Sequence, residues 1–345
     1  MTAADNPKKK LAGVVDMTHG GGGRAMSDLI EKLFRRHLSN PALDQGHDAA
    51  VLDRPAGRLV LSTDAHVVSP LFFPGGDIGS LAVHGTLNDV AMAGARPLSL
   101  TASFILEEGF PLEELELIVK SMAQASREAG VPVVSGDTKV VEKGKGDGVF
   151  ISTTGLGVLP EGVAISPEAA RPGQVVLISG PIGDHGVAIL SKRENLEFET
   201  EIRSDSAALH DLVAEMINVD PGISVLRDPT RGGLATALNE IANASRIGFV
   251  LQEESIPVSP DVQAACELLG LDPLYVANEG KLVCICAAER ADELLAVMRA
   301  HANGRGACRI GEVVDDPDCM VIMETEFGGS RVVDWLSGEQ LPRIC

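Results

Sequence analysis

Apolar and polar residues follow two different periods in the first half of the chain, and together they predict alternating strands and helices. Short apolar runs bounded by polar or glycine residues are typical of strands, whereas apolar residues spaced three and four apart indicate helices. Asp77 is a good helix N-cap, and Gly94 and Gly130 are natural helix stops. The predicted elements are strand 58–63, helix 77–94, strand 97–106, helix 111–130, and strands beginning at 131 and 149.

The second half repeats the alternation after a stretch rich in proline, glycine and small residues at 160–172. We therefore predict an α/β protein with an N-terminal domain at 1–160, a second domain at 161–330 and a C-terminal tail at 331–345. The predicted elements of the second domain are the strand VVLISG, a helix after the turn GPIGDHG, helix 234–244, strand 248–252, a helix from Ser259, the strand LVCIC and helix 291–302.

Length and charge narrow the function. A chain of 345 residues is long enough for two cores, and its 45% apolar content can fill them. The formal charge of −20 argues against nucleic-acid binding, because phosphates would be repelled. The sequence contains neither a secretory signal nor an apolar run of the ~18 residues that a membrane span needs. These features predict a soluble, cytoplasmic protein without a membrane or nucleic-acid partner.

Aspartates recur beside apolar runs, where we expect strands to end. Carboxylates at such loops would suit Mg²⁺, which takes oxygen ligands and allows a triphosphate to bind near acidic groups. A single aspartate at such a place is more often a turn or cap residue, so the prediction depends on their number. The candidates are Asp48, Asp64, Asp89, Asp137 and Asp228.

Glycine-rich segments offer main-chain N–H groups that can bind phosphates. They are HGGGGRAM, GPIGDHG and TRGG, and none has the Walker A pattern. The first is the strongest candidate, since a histidine and an arginine flank the glycines. Its residues are His19, Gly20, Gly21, Gly22, Gly23 and Arg24.

The final residue, Cys345, carries a thiol at the very end of the chain. A terminal thiol can move between a partner and an internal site, and its thiolate is a nucleophile. We therefore predict that chemistry occurs on a group carried by this sulfur, although a terminal cysteine can also be incidental. The other cysteines, including Cys284 and Cys286 in the strand LVCIC, are expected to be buried reduced thiols.

The motifs together resemble the HypE family of [NiFe]-hydrogenase maturation proteins, within the PurM-like ATP-binding superfamily. The resemblance rests on HGGGGRAM, GHDAAVL, STDAHVV, NDVAMAGA, SGDTKVV, RDPTRGGL, ANEGK and the terminal PRIC, in this order over nearly the whole chain. The aspartate and glycine motifs are shared across the superfamily and imply ATP. The terminal PRIC distinguishes the HypE family.

The resemblance implies a PurM-like fold, with ATP and Mg²⁺ in a cleft between two α/β domains and a mobile C-terminal tail. It implies a homodimer formed through the N-terminal sheets. It assigns metal binding to Asp48, Asp64, Asp89 and Asp228, and nucleotide binding to the HGGGGR loop (residues 19–24), Asp89 and Asp137. The implied catalytic residues are Cys345, Lys139 and Glu279.

The implied activity is an ATP-dependent carbamoyl dehydratase. HypF would place a carbamoyl group on Cys345, ATP would drive its dehydration to thiocyanate, and the HypC–HypD complex would accept the cyano group for the iron. Two alternatives remain open. Selenophosphate synthetase would require a reactive cysteine near the glycine-rich loop, but no cysteine precedes Cys266. A non-catalytic nucleotide-binding scaffold would release no phosphate.

Overall fold

The computed structural model describes residues 12–53, 55–196, 201–338 and 344, which form two α/β units, each built on its own sheet. The predicted α/β class is confirmed. Cys345 lies outside the described residues.

The first unit contains a four-stranded sheet with one face covered by helices. Its strand order is β1-β6-β4-β5, and only β4 and β5 run parallel. The strands of this sheet are β1 (Arg58–His66), β4 (Arg96–Glu107), β5 (Val133–Val141) and β6 (Val149–Leu159), and a separate two-stranded sheet consists of β2 (Phe72–Phe73) and β3 (Gly76–Asp77). Its helices are α1 (Arg24–Leu29), a π-helical segment (Ile30–Arg35), α2 (Arg36–Leu38), α3 (Ile78–Met92) and α4 (Leu112–Glu128).

Helix α3 lies between the two units, and its composition explains this position. It is apolar on nearly every side, which is typical of a helix that is buried all round. Its first turns pack in the core of the first unit, whereas Ala91 and Met92 pack in a core of the second. The predicted cap is confirmed, because the Asp77 carboxylate accepts from the N–H groups of Gly79 and Ser80 at 2.6 and 3.2 Å.

The second unit contains a seven-stranded sheet in the order β13-β12-β9-β11-β7-β10-β8, in which only β9 and β12 run parallel. The pair Cys284 and Cys286 lies on β10, where both residues are buried in one cluster, as predicted. The strands are β7 (Val175–Ile178), β8 (Val225–Arg227), β9 (Gly248–Gln252), β10 (Val283–Cys286), β11 (Cys308–Val314), β12 (Val321–Glu324) and β13 (Ser330–Val332). The helices are α5 (Asp184–Arg193), α6 (His210–Val219), α7 (Gly233–Ser245), α8 (Pro260–Leu269) and α9 (Ala291–Ala300).

The segment predicted as a free tail is partly built into the fold. Arg331 and Val332 belong to β13, which pairs with β12, so the second sheet extends beyond the predicted start of the tail. Val333 is fully buried in the second unit, and Ile344 is 5% exposed in the core of the first unit. The tail therefore begins in one unit and reaches the other.

The face of the first sheet that the helices leave open is partly apolar. Leu59 and Leu61 on β1 are 60% and 71% exposed, and Ile105 on β4 is 42% exposed. Among the described residues, no helix combines the length and apolar character needed to cross a bilayer.

Candidate active site

Four predicted acidic residues gather at the seam between the two units. They come from strand β1, helix α3, the loop after β8 and the loop before β10. A Cβ built on Gly85 of α3 would lie 3.6 Å from Asp64 Oδ2 and 3.9 Å from Glu279 Oε2. The absence of a side chain at Gly85 therefore gives two of these carboxylates room. The seam cluster, as we call it, consists of Asp64, Asp89, Asp228 and Glu279.

Three of the predicted aspartates do not occupy the expected loop positions. Asp64 lies inside β1, Asp137 lies inside β5, and Asp89 lies on α3, in agreement with the predicted helix 77–94. The strands run past their apolar segments because their hydrogen-bonded partners also continue, as β6 does beside β1. Only Asp48 and Asp228 follow the predicted loop placement.

Burial and mutual repulsion perturb the acids of the seam cluster. Burial raises the pKa of Glu279 well above its usual range, and neighbouring Asp228 raises it further. Burial, followed by the charge of Asp89, raises the pKa of Asp228 to about 7. Burial also raises the pKa of Asp89, although the Ser62 hydroxyl donates to it at 2.8 Å and opposes the shift. Raised carboxyl pKa values in a cleft are typical of acid–base sites.

Glu279 has one carboxylate oxygen, Oε1, that is buried without a hydrogen-bond partner among the described residues. Buried polar atoms are almost always satisfied, so an unsatisfied one indicates a missing proton, ion or ligand. The raised pKa and this unpaired oxygen agree: the group is suited to taking up a proton or contacting a cation.

The loop that carries Glu279 is held by Asp205, which the sequence analysis did not identify. The Asp205 carboxylate accepts from the Glu279 N–H at 3.0 Å and the Gly280 N–H at 3.3 Å, and it pairs with Lys281 Nζ at 2.9 Å. Both side chains of the ion pair are largely buried. Asp205 belongs to no glycine or aspartate motif, so no local signal marks it.

Asn88 ties the same loop to helix α3. Its amide donates to the carbonyl oxygens of Ala207 and Glu279 at 3.0 and 3.2 Å, and its oxygen accepts from the Leu209 N–H at 2.8 Å. The side chain is therefore fully used in joining the two units. Asn88 directly precedes Asp89 in the motif NDVAM, so its place in that motif could have marked it as a candidate site residue.

A second group of predicted residues lines a cavity of about 670 Å³ in the first unit. The cavity lies beside helix α1 and the edge strand β5, and its lining includes Gly22, Gly23, Asp48 and Asp137. All of its lining residues belong to the first unit. The placement of ATP in a cleft between the domains therefore stays a prediction.

His19 and Gly20 precede this cavity in a short 3₁₀ turn (Met17–Gly20). His19 Nδ1 accepts from the Asp16 N–H at 3.1 Å and closes a capping box. Gly20 packs on strand β5, where a Cβ would approach Val140 to 3.0 Å. These contacts fix the start of the glycine loop, which continues through Gly21 to the exposed Arg24 at the start of α1.

Lys139 lies on β5 and pairs with Asp137 at 2.5 Å, and both side chains are more than half exposed. This pair lies on the open face of the first sheet, whereas Glu279 lies behind the opposite face, near Gly85. Across the sheet, Asp137 of β5 pairs with Ser103 of β4, which pairs with Ser152 of β6, which pairs with Ala65 of β1. Strands β5 and β1 are therefore three strand spacings apart, or about 14 Å. A single chain therefore does not bring Lys139 and Glu279 together.

In the described part of the chain, no three His, Cys, Asp or Glu side chains converge closely enough to hold a metal ion by themselves. The chemistry of the seam cluster nevertheless suits Mg²⁺, which takes carboxylate oxygens and usually completes its shell with waters and substrate phosphates. The unpaired Oε1 of Glu279 would offer a further oxygen atom at this place. The assignment of Mg²⁺ to Asp48, Asp64, Asp89 and Asp228 stays a prediction.

Comparisons with known proteins agree with this architecture. The family "AIR synthase related protein" matches with its N-terminal domain at residues 46–159 and its C-terminal domain at 171–324. Carbamoyl dehydratase HypE of Cupriavidus necator is 70% identical over 340 residues, covering 98% of this chain and 97% of that protein.

Two solved structures are also similar. The crystal structure of hydrogenase maturation protein HypE in complex with ATP has 52% identity and a TM-score of 0.92, covering 95% of this chain and 99% of that chain. A chain of the HypE–HypF complex has 51% identity and a TM-score of 0.79, covering 89% of this chain and 99% of that chain.

Proposed function

This chain belongs to the HypE family of carbamoyl dehydratases, and we propose that it uses ATP to dehydrate a carbamoyl group carried on the sulfur of Cys345. The product would be a thiocyanate on the same sulfur. It would supply the cyanide ligands of the iron in [NiFe]-hydrogenase.

The position of the penultimate residue carries this proposal. Ile344 is buried at the seam, and its carbonyl oxygen accepts a hydrogen bond from His185 Nε2 at 2.5 Å. That carbonyl belongs to the peptide bond that leads into Cys345. The described end of the chain therefore lies at the seam, and the proposal needs the carrier sulfur to act there.

The reaction needs phosphate as a leaving group, because an amide oxygen leaves poorly. The carboxamide oxygen attacks the γ-phosphorus of ATP, the bond to ADP breaks, and nitrogen loses one proton. The second nitrogen proton is then removed, the C–O bond breaks, and phosphate departs with the electron pair, leaving S–C≡N. The sum is carboxamide plus ATP giving thiocyanate, ADP and phosphate.

Glu279 is the base that best suits these proton transfers. Its pKa is raised by burial, so its carboxylate binds a proton more readily than an exposed glutamate, and its Oε1 has no partner in the described chain. A raised pKa makes a carboxylate a stronger base, which favours proton abstraction. Asp205 and Asn88 hold its main chain on two sides and so fix its approach.

Mg²⁺ would be held by Asp64, Asp89 and Asp228 of one chain, with Asp48 contributed from the cavity of the other chain, as proposed below for Lys139. When bound it would neutralise the triphosphate. The glycine loop from Gly20 to Gly23 would offer N–H groups to the phosphates. His19 and Arg24 would flank them.

A homodimer is part of the proposal. The open face of the first sheet exposes Leu59, Leu61 and Ile105, and removal of such apolar area from water favours association. Lys139 lies on the same open face, three strand spacings from β1. We therefore propose that Lys139 acts in the site of the other chain, where it would orient or polarise the carboxamide.

Mixing two inactive variants tests this arrangement. Lys139→Ala and Glu279→Gln protein should each lack dehydration, and their heterodimers should regain activity, because one of the two sites is then intact. A mixture that stays inactive although heterodimers form would contradict a shared site. Refolded Lys139→Ala homodimer serves as the control for the mixing procedure.

HypF is the proposed carbamoyl donor, and the HypC–HypD complex is the proposed acceptor of the cyano group. The solved HypE–HypF complex supports the first partner through its similarity to this chain. Both reactions require Cys345 to leave the seam, so the tail has to alternate between a docked and a released state.

Intact mass of the C-terminal peptide tests the chemistry. After incubation with HypF and carbamoyl phosphate, the peptide should gain a carbamoyl group, and addition of ATP should remove the mass of one water. Cys345→Ser should abolish both changes, whereas Cys319→Ser, which removes another free thiol, should leave both intact. A carbamoylated peptide that loses no water while ATP is bound would favour the scaffold alternative.

A further inference from the structure

His185 is a fully buried residue at the start of helix α5, and it lies where the two units and the end of the chain meet. Its Nε2 atom bonds the carbonyl oxygen of Ile344 at 2.5 Å, and its Nδ1 atom bonds the Ser204 hydroxyl at 2.8 Å. Phe73 of the first unit packs edge-on against the ring, with centroids 5.6 Å apart. A residue of the second unit thus contacts the first unit and the tail together.

The two hydrogen bonds define one tautomer of His185. A carbonyl oxygen only accepts, so Nε2 must carry the proton that is donated to Ile344. Burial lowers the pKa of His185 and keeps the ring neutral. Nδ1 is then an acceptor and receives the Ser204 hydroxyl proton, so Ser204 orients the ring with its donor toward the tail.

Ile344 is held by a second, apolar contact. Its side chain is 5% exposed and belongs to the hydrophobic core of the first unit, a cluster that also includes Ile189 and Ala277 of the second unit. Burial of this side chain removes apolar surface from water and so favours the docked end. The docked end is therefore recognised through both the main-chain carbonyl and the side chain of one residue.

The socket for Ile344 is linked directly to the Glu279 loop. The Gly186 N–H donates to the Ala277 carbonyl oxygen at 3.1 Å, two residues before Glu279. On the other side, Ser204 immediately precedes Asp205, whose carboxylate holds the Glu279 N–H. The elements that hold the tail are thus the same elements that position the base.

We propose that His185, oriented by Ser204, is a positioning residue that clasps the Ile344 carbonyl and so sets the balance between the docked and released tail. This inference rests on the proposed function for its consequence, because docking favours dehydration and release favours carbamoyl transfer from HypF. The clasp itself is a property of the chain that can be measured without any turnover.

The first experiment measures access to Cys345. His185→Ala should raise the rate of maleimide labelling of Cys345 about fivefold, since one hydrogen bond to the tail is lost. His185→Gln, which keeps a donor at the position of Nε2, should restore most of the protection. His210→Ala is the matched control, because His210 also bonds a main-chain carbonyl, that of Ala129, away from the tail.

Ile344→Ala tests the same socket from the other side. The substitution lies at the chain end, so folding should persist even where His185→Ala weakens the core. Faster labelling in this variant and in His185→Ala is the expected result. Unchanged labelling in both variants would overturn the proposal, whatever the enzymatic activity.

The second experiment separates docking from general damage. In His185→Ala, single-turnover dehydration of carbamoylated protein should slow while the KM for ATP is unchanged, and carbamoyl transfer from HypF should hold or accelerate. A parallel fall of both half-reactions would indicate a merely structural role and contradict the proposal. If the variants alter the labelling but even the wild-type protein, once carbamoylated, shows no dehydration, the proposed function would be refuted and the interaction of His185 with the tail would still be supported.

Discussion

Asp205 anchors the loop that carries Glu279, and its replacement by asparagine tests whether that anchor organises the site. The carboxylate has three partners: the N–H groups of Glu279 and Gly280 and the ammonium of Lys281. In Asp205→Asn the amide oxygen can still accept from Glu279. The amide NH₂ group, however, then faces the Gly280 N–H and the Lys281 ammonium, so donors oppose donors.

The magnitude follows from the burial of the ion pair. The side chains of Asp205 and Lys281 are 4% and 12% exposed, so the ammonium is left mostly desolvated without its counter-charge. Breaking a buried pair in this way costs about 3–5 kcal/mol, and the slight exposure of Lys281 places the expected loss at the lower end, about 3 kcal/mol. The substitution changes almost no volume, so packing contributes little.

Urea unfolding gives the free energy, and single-turnover dehydration gives the functional effect. We expect Asp205→Asn to lose about 3 kcal/mol and to dehydrate at least tenfold more slowly at saturating ATP, because Glu279 is no longer held. Adding Lys281→Met should recover part of the stability but not the rate. Asp211→Asn, an exposed acid with 73% of its side chain accessible, should change stability by less than about 0.5 kcal/mol.

The reasoning would be refuted by a stability loss below about 1 kcal/mol together with an unchanged rate. That result would mean that the ion pair behaves as a surface pair and that Glu279 is positioned by other contacts.

Three further predictions concern the same region. Glu279→Gln should raise the free energy of unfolding of the nucleotide-free protein by about 1–2 kcal/mol, because it removes a buried carboxyl whose pKa is raised by burial. The same variant should have no dehydration activity. A lower stability in urea unfolding would contradict this prediction. Gly85→Ala would place a methyl group 3.0 Å from His66 Cε1 and beside the carboxylates of Asp64 and Glu279. The rate of dehydration should therefore fall more than tenfold, while the circular dichroism spectrum stays normal. Full activity would show that the reaction does not use this space. Burial lowers the pKa of His84 to about 4, so the unfolded chain binds a proton before the folded protein does as pH falls below about 6.5. The free energy of unfolding should therefore drop by about 1 kcal/mol between pH 7.5 and 5.5. His84→Gln should remove that part of the pH dependence of stability.

Local elements of the fold could be predicted because their causes are local. Helix α4 was predicted at 111–130 and is observed at Leu112–Glu128, since its proline start, acidic first turn and apolar spacing lie within one segment. Strand β9 has the predicted bounds, Gly248–Gln252. Asp77 caps α3 because its side chain needs only the next two or three N–H groups.

The predicted site residues were separated by the fold into two groups. The seam cluster and the cavity beside β5 both contain predicted residues, but Lys139 and Glu279 lie on opposite sides of the first sheet. A motif gives the chemical type of a side chain and its place in the chain. Which face it occupies depends on strand pairing, and for this pair on the proposed second chain.

Asp205, Asn88 and His185 show what local sequence does not contain. Each bonds main-chain atoms distant in sequence: Asp205 reaches Glu279 across 74 residues, and His185 reaches Ile344 across 159. Such contacts have no periodic or compositional signal, because main-chain N–H and C=O groups are the same at every residue.

The sequence by itself determined the α/β class, most helices and strands, the acidic and glycine-rich chemistry and the terminal thiol, because each depends on neighbouring residues and their period. Only the tertiary structure decided that four acids lie at the seam between the units, that the tail returns from the second unit to the first, and that the buried His185 side chain donates a hydrogen bond to Ile344 near the chain end. These are long-range arrangements, and they arise from burial of apolar surface and satisfaction of buried polar groups between segments far apart in the chain.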